Sequence, residues 1–134
     1  TYGQFSYLPL QWIDLDDIDP LAEKDEWLRT TQEIDRRSLG GKTPSDLESA
    51  TNYLAERSFV YKTTIEELQD LPQDRPTRVT TFLFDLEKTL SPIVEIVRPN
   101  AYLIWIVGNR HVGGMEIPTN KILEASGSLK TRRV

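Results

Sequence analysis

The longest apolar segment of the C-terminal part is Ala101-Tyr102-Leu103-Ile104-Trp105-Ile106-Val107, in which no side chain is charged. It is too short to span a membrane, which takes about 20 apolar residues, and too apolar for a surface strand. The sequence therefore predicts a buried strand over residues 101–107. Such a strand is covered on both faces and needs hydrogen-bonded neighbours at its sides. The chain contains few candidates for these neighbours, so we interpret the stretch as part of a larger sheet.

An amphipathic helix is predicted before this strand, over residues 80–97. Apolar residues recur there at helical spacing, and Thr80 or Thr81 is placed to cap the first turn. Pro92 interrupts the pattern, and we therefore expect a kink or a break after Ser91.

Short links flank the predicted strand. On the upstream side, Pro99 cannot extend a helix and Asn100 can adopt the left-handed conformation of a tight turn. On the downstream side, residues 108–114 include three glycines and are interpreted as a polar loop. A short helix carrying Ile122 and Leu123 is expected to follow. The resulting fold class is α/β.

The first 71 residues are predicted to be mainly helical, with a helix terminator and loop at residues 39–43. One helix is expected at residues 20–38, another starts near Pro44-Ser45-Asp46, and a third spans residues 61–71 with Thr64 as its cap.

The segment 72–76 contains two prolines and is predicted to be a hinge or a long turn, the clearest internal boundary. We therefore predict a single partial domain over residues 1–134. It comprises a helical inserted region at 1–71 and a helix-strand-loop-helix core at 77–127.

Composition excludes several kinds of site. The chain has no cysteine and only one histidine, His111, so neither a thiolate site nor a multi-histidine metal site can form within it. The aspartates at positions 14–19 lack the spacing of a calcium loop, and residues 39–43 lack the spaced glycine of a phosphate loop. We predict no metal ligands and no catalytic residues.

Charge is distributed unevenly along the chain. The net charge of −5 argues against a large basic surface, but residues 101–134 carry five basic and two acidic side chains. Contact with an anion is therefore expected near the C-terminal end. No signal peptide or membrane span is found in the sequence, so a cytoplasmic location is expected.

Several segments of the chain resemble the later part of bacterial DNA-modification methyltransferases. The most specific is Trp105-Ile106-Val107-Gly108-Asn109-Arg110-His111-Val112-Gly113-Gly114-Met115-Glu116-Ile117-Pro118-Thr119. Shorter matches are Tyr2-Gly3-Gln4-Phe5-Ser6, Leu10-Gln11-Trp12, residues 19–27, Leu39-Gly40-Gly41-Lys42 and Phe84-Asp85-Leu86. Members of this family transfer the methyl group of S-adenosylmethionine to an exocyclic amino group of cytosine (N4) or adenine (N6).

The resemblance implies a portion of a Rossmann-like sheet, in which a glycine-rich acidic loop binds the cofactor and a Ser- or Asp-Pro-Pro-Tyr motif binds a flipped base. Neither motif is present in this chain. By the resemblance, both are expected upstream of Thr1. S-adenosylmethionine is then the cofactor of the intact family, and no cofactor and no activity are expected for this chain alone.

The resemblance also suggests site residues. Tyr2 and Phe5 are candidates for the base pocket, whereas Asn109, Arg110 and His111 are candidates for positions near the cofactor or DNA. The alternative for all five is ordinary loop packing or exposure.

Two other functions stay open for the chain. The first is a nonenzymatic interaction or oligomerisation module that uses the strand edge. The second is a small DNA-binding remnant that uses basic residues of the C-terminal part: Arg110, Lys121, Lys130, Arg132 and Arg133. The expected partners are DNA and either the missing upstream half or a second copy, and no membrane.

Overall fold

The computed structural model describes residues 31–126 together with Phe5, Leu8, Pro9 and Trp12. The elements of this part are helices α1 (Thr31–Arg37), α2 (Leu47–Arg57), α3 (Phe59–Leu68), α4 (Asp74–Ile96) and α5 (Thr119–Ala125), and strands β1 (Arg110–Val112) and β2 (Met115–Ile117). The chain divides into two compact units, residues 1–42 and 43–134. The described part is therefore helix-rich with one small antiparallel sheet.

In the first unit, α1 buries Ile34 and stops at a glycine-containing turn. The amide of Gly41 donates to the Ser38 carbonyl at 2.9 Å, and Gly40 has a φ of +80°. A Cβ on Gly41 would overlap the backbone carbonyl oxygens of Asp35 and Arg36. The helix terminator predicted here is confirmed, because only glycine lets the chain turn this closely against the helix end.

In the second unit, side-chain caps decide where α2 and α3 begin. Asp46 Oδ1 accepts a hydrogen bond from the Ser49 amide at 2.8 Å, as expected for a helix start at this point. Ser58 Oγ accepts from the Tyr61 amide at 3.2 Å, so α3 starts at Phe59. The prediction that Thr64 caps this helix is wrong. Thr64 is buried within α3, where its hydroxyl donates to the Val60 carbonyl at 2.7 Å.

Helix α4 is the longest element, and it begins at Asp74 rather than at Thr80. Pro76 lies in its first turn, where the missing N–H of a proline leaves no hydrogen bond unmade. The hinge predicted at residues 72–76 is therefore largely the start of this helix. Thr80 and Thr81 are buried in its interior, so the prediction that they cap it is wrong.

The break predicted at Pro92 is also absent, since α4 continues to Ile96. Pro92 lies near the C-terminal end of the helix. Its ring removes one backbone hydrogen bond there, and few turns remain to be disrupted.

The core of the second unit is formed where α2 and α3 pack against α4, and where α5 packs against α3. Its buried members are mostly aliphatic: Leu54, Tyr61, Ile65, Leu68, Val79, Leu83, Ile117 and Ile122. Tyr61 is fully buried, and its hydroxyl shares a 2.7 Å hydrogen bond with Thr80 Oγ1 of α4. This bond satisfies the polar end of a side chain that is otherwise surrounded by apolar groups.

Strands β1 and β2 form an antiparallel hairpin, with Arg110 opposite Ile117 and Val112 opposite Met115. Its two-residue turn is Gly113-Gly114, with φ values of +61° and +87°. This turn requires positive φ at both residues, which two glycines adopt without strain. The interpretation of residues 108–114 as a loop was therefore incomplete, because the sequence analysis missed the strand pairing.

The buried strand predicted at residues 101–107 is not found. Residues 101–109 have no strand pairing, and residues 101–106 are exposed. The physical reason is the lack of partners, since β1 and β2 are the only strands in the part of the chain that the structure describes and they pair with each other. The link before the segment is confirmed: Asn100 has a φ of +67°, and the Ala101 amide donates to the Arg98 carbonyl at 3.0 Å.

Candidate functional site

The three predicted residues of the C-terminal part lie together on the hairpin. Arg110 and His111 are the first two residues of β1, and Asn109 precedes them directly. All three are exposed. The structure therefore presents a short polar surface, which we call the hairpin site, at the end of the apolar segment 101–107.

Asn109, which lies directly before β1, makes hydrogen bonds to β2 and to the following helix. Its Nδ2 donates to Glu116 Oε1 of β2 at 2.7 Å. Its Oδ1 accepts from the backbone amide of Asn120, in the first turn of α5, at 3.4 Å. The side chain of Asn109 thus bridges β2 and α5, and it holds in place the backbone that leads into Arg110 and His111.

The two faces of the hairpin differ in chemistry. Val112, Met115 and Ile117 pack against the core, whereas His111 and Glu116 form a directly opposed pair. Both members of that pair are exposed. Because side chains alternate between the faces of a strand, His111 and Glu116 lie on the outer face. That face carries an imidazole and a carboxylate, and the carboxylate accepts a hydrogen bond from the Asn109 amide.

The inner face fixes the hairpin to the helical core. Ile117, Ile122 and Leu123 are buried, and α5 packs against α3. At the hairpin tip, a Cβ added to Gly113 would overlap Leu71 Cδ1, in the turn after α3. The hairpin site therefore rests on the apolar core of the second unit.

Of the other site residues predicted from the sequence, only some lie in the described part of the chain. Phe5 belongs to the first unit and is exposed, and Tyr2 lies outside the described residues. Among the basic residues, Lys121 is exposed on α5, the helix that follows β2 in the sequence. Lys130, Arg132 and Arg133 lie outside the described part.

Glu116 and the backbone amide of Asn120 are members of this site that were not predicted from the sequence. A signal was available: Arg110-His111-Val112 and Met115-Glu116-Ile117 flank Gly113-Gly114, a pattern typical of a two-residue hairpin. Reading the register from that turn would have placed Glu116 opposite His111.

Two further kinds of feature are absent from the described residues. No group of three or more histidine or acidic side chains is arranged there to hold a metal ion. None of the helices in that same part combines the length and the apolar character that crossing a membrane requires.

Comparison with known proteins gives one informative match. No family model and no solved structure matches the chain. The chain is 32% identical over 125 residues to the Type II methyltransferase M.MvaI of Kocuria varians. The match covers 92% of this chain but 25% of the relative, so the chain spans about a quarter of that protein's length. This similarity confirms the resemblance predicted from the sequence, since the chain is similar to one part of a Type II methyltransferase.

Proposed function

We propose that this chain is the later part of the catalytic domain of a site-specific DNA methyltransferase. The reaction is transfer of the methyl group of S-adenosylmethionine to N4 of cytosine or N6 of adenine. The observation that carries the proposal is the 32% identity over nearly the whole chain, which includes the hairpin site. The intact domain would have a Rossmann-like sheet, to which this chain contributes one part.

The hairpin site supports a role beside the cofactor or the DNA. His111 is exposed on the outer face of a hairpin whose inner face packs on the core. Arg110 shares the inner face with Val112 and Ile117, and it is exposed at the start of β1. An exposed arginine can bind a phosphate oxygen with two parallel hydrogen bonds, and a histidine can donate or accept one. Lys121 on α5 adds a second exposed cation in the same part of the chain. DNA is the substrate that these groups would contact through its backbone.

Catalysis requires more than this site. Methyl transfer needs the sulfonium carbon in line with the attacking amino nitrogen, and a polar clamp around that amino group. The sequence contains neither the acidic glycine-rich loop nor the Pro-Pro-Tyr motif that would supply them. We therefore propose that the reaction needs the remaining parts of a methyltransferase domain, on the same or on a partner polypeptide, and that residues 1–134 alone are inactive.

A second candidate function is a nonenzymatic interaction module. The exposed apolar side chains of residues 102–106 favour it, because patches of this kind mark interaction sites. A cytoplasmic location stays a prediction for either function.

The first experiment is a calorimetric titration of residues 1–134 with S-adenosylmethionine, with the thermal unfolding midpoint recorded in parallel. We expect no binding heat and an unchanged midpoint, with the intact Kocuria varians relative as the positive control. Stoichiometric binding that raises the midpoint would contradict the proposed division of the site, because only a ligand that binds the folded state stabilises it.

The second experiment tests the hairpin site by methyl transfer. Residues 1–134 are co-expressed with the remaining sequence of the relative, and transfer of labelled methyl groups to DNA is measured. Arg110→Ala and His111→Ala should each lower the rate, while Arg78→Ala, an exposed cation on α4 paired with Asp74 at 3.6 Å, should not. Equal rates of methyl transfer for all three variants would mean that Arg110 and His111 have no role in the reaction.

A further inference from the structure

Two helices of the second unit carry the same arrangement of an aromatic ring followed by a cation. In α2, the guanidinium carbon of Arg57 lies 3.6 Å from the centroid of the Tyr53 ring. In α4, Lys88 Nζ lies 4.2 Å from the centroid of the Phe84 ring. The spacing is i, i+4 in both helices, which places the members of each pair on one face of the helix. Each cation is attracted to the negative face of its ring.

The two pairs join into one surface where α2 packs against α4. The Tyr53 and Phe84 rings meet edge to face, with their centroids 5.7 Å apart. Both rings are half-buried, whereas Arg57 and Lys88 are exposed. We call these four residues the cation–aromatic surface. It places two positive charges beside one aromatic pair.

The cations of this surface are available to a ligand. Neither Arg57 nor Lys88 has a carboxylate partner in the described part of the chain, whereas Arg78 of α4 pairs with a carboxylate at 3.6 Å. Arg57 stacks through its face, and one edge nitrogen, Nη1, donates to the Tyr53 carbonyl at 3.3 Å. The other N–H groups of its planar fork can bind a phosphate with two parallel hydrogen bonds. Because the rings already hold both cations in position, less conformational entropy is lost on binding.

We propose that the cation–aromatic surface binds the phosphate backbone of DNA. The choice of DNA rests on the proposed function, but the surface is distinct from the hairpin site and lies in helices to which no site residue was assigned from the sequence. Stacking on an unpaired base is not offered, since a cation covers a face of each ring and the rings contact each other. Backbone contacts position a protein on DNA and carry no sequence information.

The place of the surface along α4 indicates which part of the DNA it contacts. The hairpin tip lies against Leu71, just before α4 begins at Asp74. Lys88 lies about 20 Å further along the helix axis, at a rise of about 1.5 Å per residue. Base pairs rise by about 3.4 Å, so a duplex that contacts both surfaces extends about six base pairs between them. The cation–aromatic surface would therefore contact DNA that flanks the target base.

An NMR titration of isotopically labelled residues 1–134 tests this proposal. The probe is a DNA duplex of mixed sequence at low salt, where contacts with the backbone are strongest. The side-chain signals of Arg57 and Lys88 should shift and saturate. Arg57→Gln combined with Lys88→Gln should raise the dissociation constant about 5–10-fold. The slope of log affinity against log salt should become shallower by about 2, close to one for each lost phosphate contact.

Arg75→Gln combined with Arg78→Gln is the matched control, because it removes two exposed positive charges from the start of the same helix. It should leave the salt slope unchanged. Thermal unfolding of both double variants checks that the fold is retained. An equal fall of the salt slope in the two double variants would overturn the proposal, because it would assign the effect to net charge rather than to this surface.

The remaining outcomes separate this inference from the proposed function. No shift at Arg57 and Lys88 at low salt would overturn it and leave the surface with a role in packing α2 on α4. Equal affinity for polyglutamate and for DNA would overturn it in favour of an acidic protein partner. DNA binding that depends on both cations, without methyl transfer in the co-expressed protein, would support the surface and contradict the proposed function.

Discussion

The helical core and the segment 101–107 are both rich in apolar residues, but the first buries them and the second exposes them. In α2, α3 and α4, most backbone hydrogen bonds are made within the helix, so only one face of each helix needs a neighbour. In an extended segment the backbone groups and both faces need partners from elsewhere in the sequence. An apolar pattern therefore shows that a surface needs cover, but for a strand it does not show that the same chain provides it.

The largest expected difference between the two regions is in the stability of the isolated chain. Leu83→Ala removes a side chain that is 2% exposed in the centre of α4, and should lower the free energy of unfolding by about 2–5 kcal/mol. Ile104→Ala, at an exposed position, should change it by less than about 0.5 kcal/mol. Urea unfolding of both variants measures the contrast. Similar losses in the two variants would mean that the segment is part of the core.

The hairpin follows the segment 101–107 and packs on the helical core, and the two glycines of its turn allow a matched comparison. Gly113→Ala and Gly114→Ala both place a Cβ on a left-handed residue, at a cost of about 1–2 kcal/mol each. Only the Cβ at position 113 meets Leu71, whereas the space at position 114 is open. Gly113→Ala should therefore be the more destabilising variant in thermal or urea unfolding. The reverse order would show that the hairpin tip does not rest on Leu71.

Within the core, Tyr61→Phe should lower the free energy of unfolding by about 1–2 kcal/mol. The substitution keeps the ring and removes the buried hydroxyl, so Thr80 Oγ1 loses its 2.7 Å partner. A double-mutant cycle with Thr80→Val isolates the energy of that bond. Additive effects of the two substitutions would contradict a direct interaction between α3 and α4 at this point.

The same tyrosine makes the core sensitive to alkaline pH. Burial raises the pKa of Tyr61 above its ordinary value of 10.0, and hydrogen bonds with Thr80 and Thr51 offset part of that rise. Above about pH 10 the unfolded chain loses this proton while the folded chain retains it, so unfolding becomes easier as the pH rises. Urea unfolding between pH 8 and pH 11 should show this decline, and Tyr61→Phe should reduce it. An equal decline in both proteins would assign it to other groups.

The sequence was sufficient where structure depends on near neighbours. The helix start near residues 44–46, the terminator at residues 39–43 and the left-handed turn at Asn100 were predicted because each depends on a few adjacent residues. The sequence was insufficient where structure depends on distant partners or on competing signals. Ser58 rather than Thr64 starts α3, and residues 101–107 find no strand to pair with in the described part.

The residues of the hairpin site likewise divide into those that near neighbours in the sequence identify and those that depend on distant partners. His111 and Arg110 could be selected from the sequence because they stand beside the glycines of a motif that resembles a methyltransferase. The contribution of Glu116 depends on strand register, which places it opposite His111. The bond from Asn109 to the Asn120 amide depends on how α5 packs. The position of Glu116 could have been derived from the spacing around Gly113-Gly114, whereas the contact with Asn120 could not.

The smallest expected effect on stability comes from the hydrogen bonds by which Asn109 bridges β2 and α5. Asn109→Ala removes the bonds to Glu116 and to the Asn120 amide at an exposed position, and should cost less than about 1 kcal/mol of stability. Asn120→Ala is the matched control because it keeps the backbone amide that reaches Asn109. Since His111 is the only histidine, its imidazole signals in a proton NMR spectrum report on the hairpin without ambiguity. They should shift in Asn109→Ala and stay unchanged in Asn120→Ala. Unchanged signals in both variants would mean that packing of Ile117 and Val112 on the core holds the hairpin site without help from the bridge.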